Sequence, residues 1–471
     1  MVKIGDYKEF KAALDLAAAR FKKVNQNEVI RLVSNLDADG ITAASIIVKA
    51  LNRENRRYSI SIVQQLNEKV IDELSNEDYN VFLFTDLGSG QLSNIKKRLG
   101  KKQIFILDHH KTRKVDVPDN ICHVNPHLFG IDGSREISAS GVAFMFAERL
   151  NEKNKDMADI AITGAIGDIQ EAHGFSTLNN EILETAIKKK LITVEQDLRI
   201  YGIRNRPLYK ALEYSKGIPH VSGSESGSIQ FLQSLGISPK EKTKWRTIMD
   251  LSKEEKKRLI AGIIMKRKGC ENPEEIIGPV YLRTKEDTYS QLKDVKEFST
   301  ILNAAGRLDQ ASIGIGACLG DSESKKSAIR VYNKYKRELV SYLRWFRDNQ
   351  DSPNIIRKDS LVIINAQDNV RSTMIGTMLS ILSKSGELGE NTFLLGLAQQ
   401  MDGYTKVSLR FSGEKDDVDL TEIVRGIVKI TGGEAGGHKF AAGAIIETEK
   451  EDDFIRAAKR LILNKAIEEK V

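Results

Sequence analysis

The sequence is poor in cysteine and has no long hydrophobic run. Its three cysteines are scattered and show no CxxC spacing, which excludes a disulfide framework or a thiolate zinc site and is typical of a reducing cytosol. No run of about eighteen apolar residues exists, so we expect no membrane span. The N-terminal stretch MVKIGDYKEFKAALDLAAARFKK lacks an uninterrupted apolar segment, which argues against secretion. We therefore predict a cytoplasmic protein.

The composition is that of a globular protein with a modest positive charge. Hydrophobic residues make up 41% and aromatic residues 6% of the 471 residues, and this length predicts two or three domains. The formal net charge is +7, and basic clusters at 52–57 and 96–102 could bind a polyanion such as nucleic acid. Each cluster alone is more often a solvated helix end or loop, so the charge is compatible with nucleic acid without establishing it.

Short apolar runs alternate with helical patterns at residues 1–185. The runs VIRLVSNL, YSISIVQQL, VFLFTDLGSG and QIFILDHH are predicted to be strands, since each is short, apolar and bounded by polar residues. Helical segments separate these strands, and strands that are connected through helices run parallel. We therefore predict an α/β domain with a mostly parallel sheet at 1–185.

The rest of the chain divides into a helical region, one long helix and a smaller domain. Residues 186–325 show mostly helical patterns, with SGSESGS at 222–228 as a flexible break. The stretch SAIRVYNKYKRELVSYLRWFRDNQ contains neither proline nor glycine and predicts a connecting helix at 326–352. The runs SLVIINAQ, NTFLLGLAQQ and TKVSLRFSG predict strands of a C-terminal α/β domain at 353–471.

The stretch SNLDADGITAAS at 34–45 places two aspartates and a glycine between a predicted strand and a predicted helix. A calcium EF-hand loop would need a bidentate glutamate at its twelfth position, where this sequence has Ile46. A solvated Asp-Gly turn would explain the motif if it stood alone. A strand followed by an acidic turn and a helix instead predicts a ligand site at the carboxyl edge of the sheet.

Further acidic and histidine residues follow other predicted strands or an apolar helix. Because the carboxyl ends of parallel strands meet at one edge of a sheet, we expect these residues to converge. A carboxylate at a buried strand end costs desolvation free energy unless a cation binds it. Taken singly, each motif is equally well explained as an ordinary polar strand end. The candidate site residues are Asp37, Asp39, Asp86, Asp108, His109, His110 and Asp168.

The charge of these residues predicts two divalent metal ions. The candidate carboxylate ligands are Asp37, Asp39, Asp86 and Asp168. Two such ions balance their four negative charges, so that a phosphodiester can approach without net repulsion. A carboxylate that bridges ions ~3.5–4 Å apart is the usual arrangement for in-line attack on phosphorus. The imidazole of His109 favours Mn²⁺ over Mg²⁺.

Five motifs together resemble those of a known superfamily. DADG, TDLGSG, LDHHKT and GAIGD resemble, in this order, the motifs of the DHH phosphoesterase superfamily. The stretch GGEAGGHKFAAG at 432–443 resembles the glycine-rich signature of the domain that accompanies DHH in nucleases. The resemblance covers nearly the whole chain and is to archaeal RecJ-like, GINS-associated nucleases. It implies a DHH catalytic domain, a helical middle region and a DHH-associated domain.

The resemblance also implies a role for each candidate ligand. Asp37 and Asp86 would hold the first metal ion. The second ion would be held by Asp39, Asp86, His109 and Asp168, with Asp86 bridging the two. His110 would act near the scissile phosphate, and Asp108 would orient the imidazole of His109.

Asn35 stands where this superfamily usually has a histidine. An amide oxygen is a weaker and harder ligand than imidazole. Either the first metal ion is held more loosely, or Asn35 contacts it only through water. Because the other ligand types are all present, the resemblance implies an active enzyme.

A second group of residues is suited to phosphate. The glycine-rich stretch lacks the Lys and Ser/Thr of a Walker A loop, which argues against an ATPase. Its glycines leave backbone N–H groups free to bind an anion, and guanidinium groups bind phosphate in a bidentate manner. A tight turn and surface solubility are the ordinary alternatives. The candidate phosphate-binding residues are Arg307, Arg371, Ser372, Arg410, Gly436, Gly437 and His438, and the resemblance assigns Arg307 to a terminal phosphate.

The resemblance implies a metal-dependent exonuclease that digests single-stranded DNA from 5′ to 3′, with RNA as a further substrate, in replication or repair. The residues alone leave polarity and sugar preference open. Two alternatives remain: a phosphodiesterase of the same superfamily acting on nanoRNA or cyclic dinucleotides, and a replisome scaffold with weak activity. The resemblance also implies that the middle region docks the GINS complex.

Overall fold

The computed structural model describes residues 5–112, 115–413 and 418–468. The chain forms two compact units, Met1–Val331 and Tyr332–Val471. Within the described ranges, none of the helices is both long and apolar enough to traverse a bilayer.

The helices are numbered in chain order. They are α1 Tyr7–Lys22, α2 Ala38–Arg53, α3 Glu68–Ser75, α4 Leu92–Leu99, α5 Ala139–Leu150, α6 Ala158–Gly167, α7 Thr177–Lys188, α8 Leu208–Tyr214, α9 Glu225–Ser234, α10 Lys253–Lys266, α11 Val295–Arg307, α12 Ala311–Leu319, α13 Ser322–Asp348, α14 Ser372–Leu382, α15 Leu420–Thr431 and α16 Glu451–Glu468.

The strands are numbered in the same way. They are β1 Ile30–Asn35, β2 Tyr58–Val63, β3 Val81–Thr85, β4 Gln103–Leu107, β5 Ile121–Val124, β6 Ile192–Leu198, β7 Lys240–Glu241, β8 Lys244–Trp245, β9 Ile277–Arg283, β10 Ile355–Lys358, β11 Leu361–Asn365, β12 Thr392–Gln399, β13 Tyr404–Ser412, β14 Glu434–His438 and β15 Ala441–Glu447.

The first unit contains a parallel sheet with the order β2-β1-β3-β4-β5. Strands β1, β3 and β4 are buried almost throughout, as expected for central parallel strands covered on both faces. One face packs against α3 and α4, while α2 packs against α5 and α6. The predicted α/β class with a mostly parallel sheet is confirmed, and β5 is an edge strand that the sequence patterns did not reveal.

The middle of the chain contains more than helices. The sequence predicts mostly helical patterns here, and the region also contains strands: β6 and β9 pair antiparallel along their whole length. The stretch at 222–228 is not a flexible break: Ser224 caps α9, and its side chain accepts a hydrogen bond from the backbone N–H of Gly227. A separate hydrophobic core supports this region, with Leu212, Phe231 and Leu259 among its buried side chains.

The second unit has a mixed sheet with the order β10-β11-β12-β13-β15-β14. Strands β11 and β12 are parallel, and the other neighbours are antiparallel. Helix α14 packs against β12 and β13, while α15 and α16 supply the core of the opposite face. The long helix predicted around 327–350 is present as α13. The division into domains at 1–185, 186–325, 326–352 and 353–471 stays a prediction.

Candidate metal centre

The turn after β1 holds the first two aspartates in different ways. Asp37 is the N-cap of α2, and its Oδ1 accepts a hydrogen bond from the backbone N–H of Gly40 at 3.0 Å. Its other oxygen, Oδ2, accepts a hydrogen bond from the side-chain amide of Asn35 at 3.1 Å. Asn35 therefore contacts Asp37 through its nitrogen, while its Oδ1 accepts from the backbone N–H of Leu36.

Asp39 is fixed by the N-terminus of another helix. Its Oδ2 accepts a hydrogen bond from the N–H of Ala139 at 2.7 Å, and its Oδ1 accepts from the N–H of Ser140 at 3.0 Å. These donors belong to the first turn of α5, whose N-cap is Ser138 and whose dipole favours a negative charge. Gly164 lies so close that a Cβ there would be 2.4 Å from Asp39 Oδ1. The carboxylate is therefore held in one orientation.

Asp86 follows β3, and its carboxylate is buried. Its backbone has a φ of 59°, and its N–H donates to the carbonyl oxygen of Leu107. The residue is 1% exposed, and neither carboxylate oxygen has a hydrogen-bond partner among the described residues. Burial and the nearby charge of Asp37 raise the pKa of Asp86 well above its usual value. Such a carboxylate is poised to bind a cation.

The ring of His109 points at three carboxylates. Its Nδ1 is 2.8 Å from the carbonyl oxygen of Gly133, which makes Nδ1 the N–H donor and leaves a lone pair on Nε2 in the neutral ring. Nε2 is 3.3 Å from Asp168 Oδ2, 3.4 Å from Asp86 Oδ1 and 3.8 Å from Asp39 Oδ2. It has no hydrogen-bond partner in the described part of the chain.

The pKa values show how the acidic groups act on one another. Burial opposes protonation of His109, but the close carboxylates of Asp86, Asp168 and Asp39 outweigh burial and raise the pKa of His109 well above its usual value. Burial and the charge of Asp39 likewise raise the pKa of Asp168. In the absence of a metal, these groups share protons that compensate for their close approach.

Asp108 orients a different ring from the one predicted. Its Oδ1 lies 2.8 Å from Nδ1 of His110 and also accepts from the backbone N–H groups of His109 and His110. Its Oδ2 accepts from the N–H of Ser89 at 3.0 Å. Although burial alone would raise it, the pKa of Asp108 is held far below its usual range by His110. The prediction that Asp108 orients the ring of His109 was wrong, because the carbonyl of Gly133 does so.

The donor set fits divalent metal ions. Two groups of possible ligand atoms each lie within 4.8 Å of one another: Asp39, His109 and Asp168 form one, and Asp86, His109 and His110 form the other. Three buried atoms in these groups, both Asp86 oxygens and His109 Nε2, lack partners among the described residues. Carboxylate oxygens with one or two imidazole nitrogens suit Mn²⁺ or Mg²⁺. Asp37 belongs to neither group but raises the pKa of Asp86 and Asp168 by its charge.

Arg307 is placed beside the first acidic turn by close helix packing. It is the last residue of α11, and a Cβ on the preceding Gly306 would lie 1.6 Å from the carbonyl oxygen of Leu36. Asn303, one turn earlier, accepts a hydrogen bond from the N–H of Ala38 at 2.9 Å. The end of α11 is therefore pressed against the turn that carries Asp37 and Asp39.

Sequence reasoning did not identify some of the residues that position the site. Asn303 lies in the same stretch, LNAAGRLDQ, that drew attention to Arg307, so its amide could have been considered. Ser138 stands at the N-cap of an apolar helix, which is a recognisable signal. Nothing in the sequence singles out Gly133, because its role depends on a backbone carbonyl.

The second unit gathers several of the predicted phosphate-binding residues around α14. Arg371 is the N-cap of α14, directly before Ser372, and its Nε is 3.1 Å from Glu338 Oε2. Arg410 donates from Nε to Ser380 Oγ at 2.8 Å, near the other end of α14, and from Nη1 to the carbonyl oxygen of Ala442 at 3.4 Å. Arg371 thus begins α14 and contacts α13, while Arg410 contacts α14 near its other end.

The glycine-rich strand is part of the same sheet. Gly436 pairs with Gly443, and Gly437 pairs with Ala442, whose carbonyl accepts from Arg410. Gly437 has a φ of 126°, and a Cβ there would lie 2.4 Å from the carbonyl oxygen of Ala441, so only glycine fits. The side chain of His438 lies outside the described residues.

Lys406 is a further basic residue in this unit that sequence reasoning missed. It precedes Ser408 and Arg410 at alternate positions of β13, so the three side chains lie on one face of the sheet. Burial and repulsion from Arg410 lower the pKa of Lys406 to about 8. The alternation of polar and apolar residues in KVSLR could have shown that Lys406 and Arg410 lie on the same face of a strand.

Three family models match successive parts of the chain. They are the DHH family, N-terminal domain, at residues 29–165, the DHH-CID domain at 200–277 and the DHHA1 domain at 359–464. An uncharacterized protein of Methanocaldococcus jannaschii is 30% identical over 455 residues, which cover 94% of this chain and 96% of that protein.

Two proteins with solved structures are similar to this chain in fold. The single-stranded-DNA-specific exonuclease RecJ of Thermus thermophilus is 25% identical over 186 residues, which cover 35% of this chain and 26% of that protein. Its crystal structure in complex with Mn²⁺ matches with a TM-score of 0.56 at 17% identity, covering 95% of this chain and 54% of that chain. This chain therefore spans about half the length of that RecJ. CDC45 from Entamoeba histolytica matches with a TM-score of 0.62 at 14% identity, covering 96% and 98% of the two chains. At these identities the structural similarity shows the fold.

Proposed function

Because the chain belongs to the DHH phosphoesterase superfamily and has a RecJ-like fold, we propose that it is a metal-dependent exonuclease acting on single-stranded nucleic acid. Its preferred cofactor is a pair of Mn²⁺ ions, with Mg²⁺ as the alternative. It digests single-stranded DNA from 5′ to 3′ and accepts RNA as well.

One observation carries this proposal. Asp86 and His109 are buried and face each other at 3.4 Å, yet three of their polar atoms have no hydrogen-bond partner among the described residues. Burying unpaired polar atoms costs free energy, and Asp39 and Asp168 only add negative charge around them. Bound cations would offset this cost, because they would pair with the buried oxygens and with the nitrogen of His109.

Each residue has a role in the proposed reaction. Two bound divalent ions would lower the pKa of a water molecule and stabilise the charge of the phosphoryl group. Asp37 and Asp86 would hold one ion, with Asn35 beside it. Asp39, Asp86, His109 and Asp168 would hold the other. His109 cannot serve as the general base, because its free nitrogen is directed at the carboxylates.

His110 and Arg307 act on the substrate rather than on the ions. Asp108 holds the Nδ1 of His110 at 2.8 Å, and burial notwithstanding, Asp108 raises the pKa of His110 above its usual value. The ring therefore carries a proton that stabilises the scissile phosphate or reaches the leaving oxygen. Arg307 binds the terminal phosphate of the strand through its guanidinium group.

The second unit supplies further contacts to the strand. Arg371, Ser372, Arg410 and the backbone N–H groups of Gly436 and Gly437 contact phosphates of the substrate, together with His438. Lys406 joins this set, because an arriving phosphate offsets the repulsion that Arg410 exerts on it.

The test is digestion of DNA and RNA strands labelled at either end, with Mn²⁺, Mg²⁺ or chelator. We expect ladders of shortened products from single strands with metal, none with chelator, and protection of duplexes. Asp168→Ala should lower the rate more than about 100-fold, whereas Asp119→Ala, at an exposed aspartate, should not. An unchanged rate in Asp168→Ala would show that the nuclease is a contaminant and would reject the proposal.

The same assay separates the two alternatives. Preference for dinucleotides or cyclic dinucleotides over long strands would instead identify a small-substrate phosphodiesterase. The scaffold alternative is favoured by the similarity in fold to CDC45 over the whole chain and by Asn35. It predicts binding of the GINS complex through the middle region, residues 186–325, without hydrolysis of any strand.

A further inference from the structure

Ile169 occupies a backbone position that rarely suits isoleucine. Helix α6 ends at Gly167, Asp168 is its C-cap, and Ile169 follows with a φ of 60°. The first residue beyond a helix commonly adopts this left-handed conformation, and it is then usually glycine or asparagine. A β-branched side chain is strained there.

The strained turn is held on both sides. The N–H of Asp168 donates to the carbonyl oxygen of Gly164 at 3.1 Å, and the N–H of Gln170 donates to that of Ala165 at 3.0 Å. The side chain of Gln170 donates to the carbonyl oxygen of Gly133 at 2.9 Å, the same oxygen that orients His109. The turn is thus fixed to the frame of the metal centre.

The isoleucine side chain is mostly exposed to solvent. It is 67% exposed, so it contributes little hydrophobic burial to offset the strain. Asp168, the preceding residue, lies 3.3 Å from His109 Nε2, so Ile169 directly follows a candidate ligand of the metal centre.

We propose that Ile169 packs against the face of the nucleobase next to the scissile phosphate and positions the strand at the metal centre. This inference rests on the proposed function. Apolar side chains contact unstacked bases through their flat faces, and a contact with any base would be independent of sequence. Ile169 is then a positioning residue whose backbone strain is retained for substrate binding.

The experiment compares two variants on two kinds of strand. Ile169→Gly removes both the apolar contact and the strain, whereas Ile169→Leu keeps the contact and reduces the strain. Binding of a fluorescent single strand is measured by anisotropy in chelator, and hydrolysis is measured with Mn²⁺. The second strand carries abasic sugars at and beside the reacting position, so that the phosphates remain and the bases are missing.

We expect Ile169→Gly to bind the ordinary strand about fivefold to tenfold more weakly and to cleave it with a higher KM, while Ile169→Leu resembles the wild type. On the abasic strand all three proteins should perform alike. The melting temperature of Ile169→Gly should equal or exceed that of the wild type. Lys190→Gly, which relieves a φ of 55° at an exposed residue, serves as a control that should leave binding unchanged.

Two outcomes would overturn the inference. An equal loss by Ile169→Gly on both strands would show an effect that does not involve a base, and unchanged binding of the ordinary strand would show no contact at all. Failure of the wild type to cleave any strand in Mn²⁺ would instead reject the proposed function, so the two failures are distinguishable.

Discussion

Asp86 and Glu297 are two buried carboxylates of the first unit with different surroundings. Asp86 has no hydrogen-bond partner among the described residues for either oxygen. Glu297 is 4% exposed but accepts hydrogen bonds from the N–H of Gly202 and the side chain of Asn205. Single substitutions can show whether a buried carboxylate binds a cation, as proposed for Asp86, or only costs free energy to bury, as expected for Glu297.

Asp86→Asn should stabilise the metal-free protein and abolish the effect of metal. The change removes a buried charge that Asp37 repels, so we expect the free energy of unfolding to rise by about 1 kcal/mol. Mn²⁺ should raise the melting temperature of the wild type but not of this variant, and hydrolysis should fall more than about 100-fold. The measurement is thermal unfolding with Mn²⁺ or chelator, with Asp119→Asn as the control. A metal-dependent shift that survives in Asp86→Asn would contradict the assignment.

Glu297 should make stability depend on pH. Burial raises the pKa of Glu297 to about 7 from 4.5, so the folded state binds a proton that the unfolded state loses between these values. Its contribution to stability is complete below pH 4.5 and is lost as pH rises through about 7. Between pH 5 and 8, the wild type should lose on the order of 2 kcal/mol from this group, and Glu297→Gln should not.

Urea unfolding at pH 5 and pH 8 measures this difference. Glu255→Gln is the matched control, because hydrogen bonding to Arg246 lowers the pKa of Glu255 to about 2. Both the folded and the unfolded pKa of Glu255 then lie below pH 5, and the effect of its substitution should be the same at the two pH values. Equal slopes for Glu297→Gln and the wild type would refute the prediction.

Helix α11 and the turn after β1 approach more closely than any side chain would allow. Gly306 lacks the Cβ that would meet the carbonyl oxygen of Leu36 at 1.6 Å, and Asn303 accepts the N–H of Ala38. The obstacle at Leu36 is backbone, which cannot rotate away. The position of Arg307 beside the acidic turn therefore depends on this glycine.

Gly306→Ala should displace α11 from the turn. We expect a loss of about 1–3 kcal/mol in unfolding free energy and a rate reduction on strands with a terminal phosphate. Gly426→Ala, in α15, is the matched control: its Cβ would meet only Leu461 Cδ1 at 3.7 Å, so helix propensity should make it neutral or stabilising. Circular dichroism melts and the end-label assay check both variants. Unaltered stability in Gly306→Ala would argue against the close packing.

On the scale of the whole molecule, the candidate metal ligands and most of the candidate phosphate-binding residues, Arg307 excepted, belong to different compact units. Asp37, Asp86, His109 and Asp168 lie in Met1–Val331, and Arg410 lies in Tyr332–Val471. Hydrolysis and strand affinity should therefore be separable by substitution.

Arg410→Ala should weaken strand binding about tenfold, as expected for the loss of a charge-assisted contact. It should leave hydrolysis of bis(p-nitrophenyl) phosphate unchanged, because that small ester needs only the metal centre. Asp168→Ala should abolish hydrolysis of the small ester and leave strand binding unchanged. Arg410→Lys tests whether charge alone suffices, and Arg425→Ala, at an exposed arginine of α15, is the control. Loss of small-ester hydrolysis in Arg410→Ala would contradict this separation.

Much of the fold could be predicted from the sequence because it depends on local patterns. Strands β1, β3 and β4 were recognised as short apolar runs, and α13 was recognised by its uninterrupted helical pattern. The pair β6 and β9 was missed, since residues distant in the chain meet there and neither run shows a clear period of two. Strand β5 is only four residues long and carries little signal.

The sequence by itself determined which side chains could bind a cation and which elements carry them, because strand ends and periodicity are properties of neighbouring residues. Tertiary structure alone decided how they are oriented. It turned Asp108 toward His110, placed the carbonyl of Gly133 against His109, and brought Asn303 to the turn after β1. Those contacts join residues through backbone groups and close packing, which no spacing in the chain can specify.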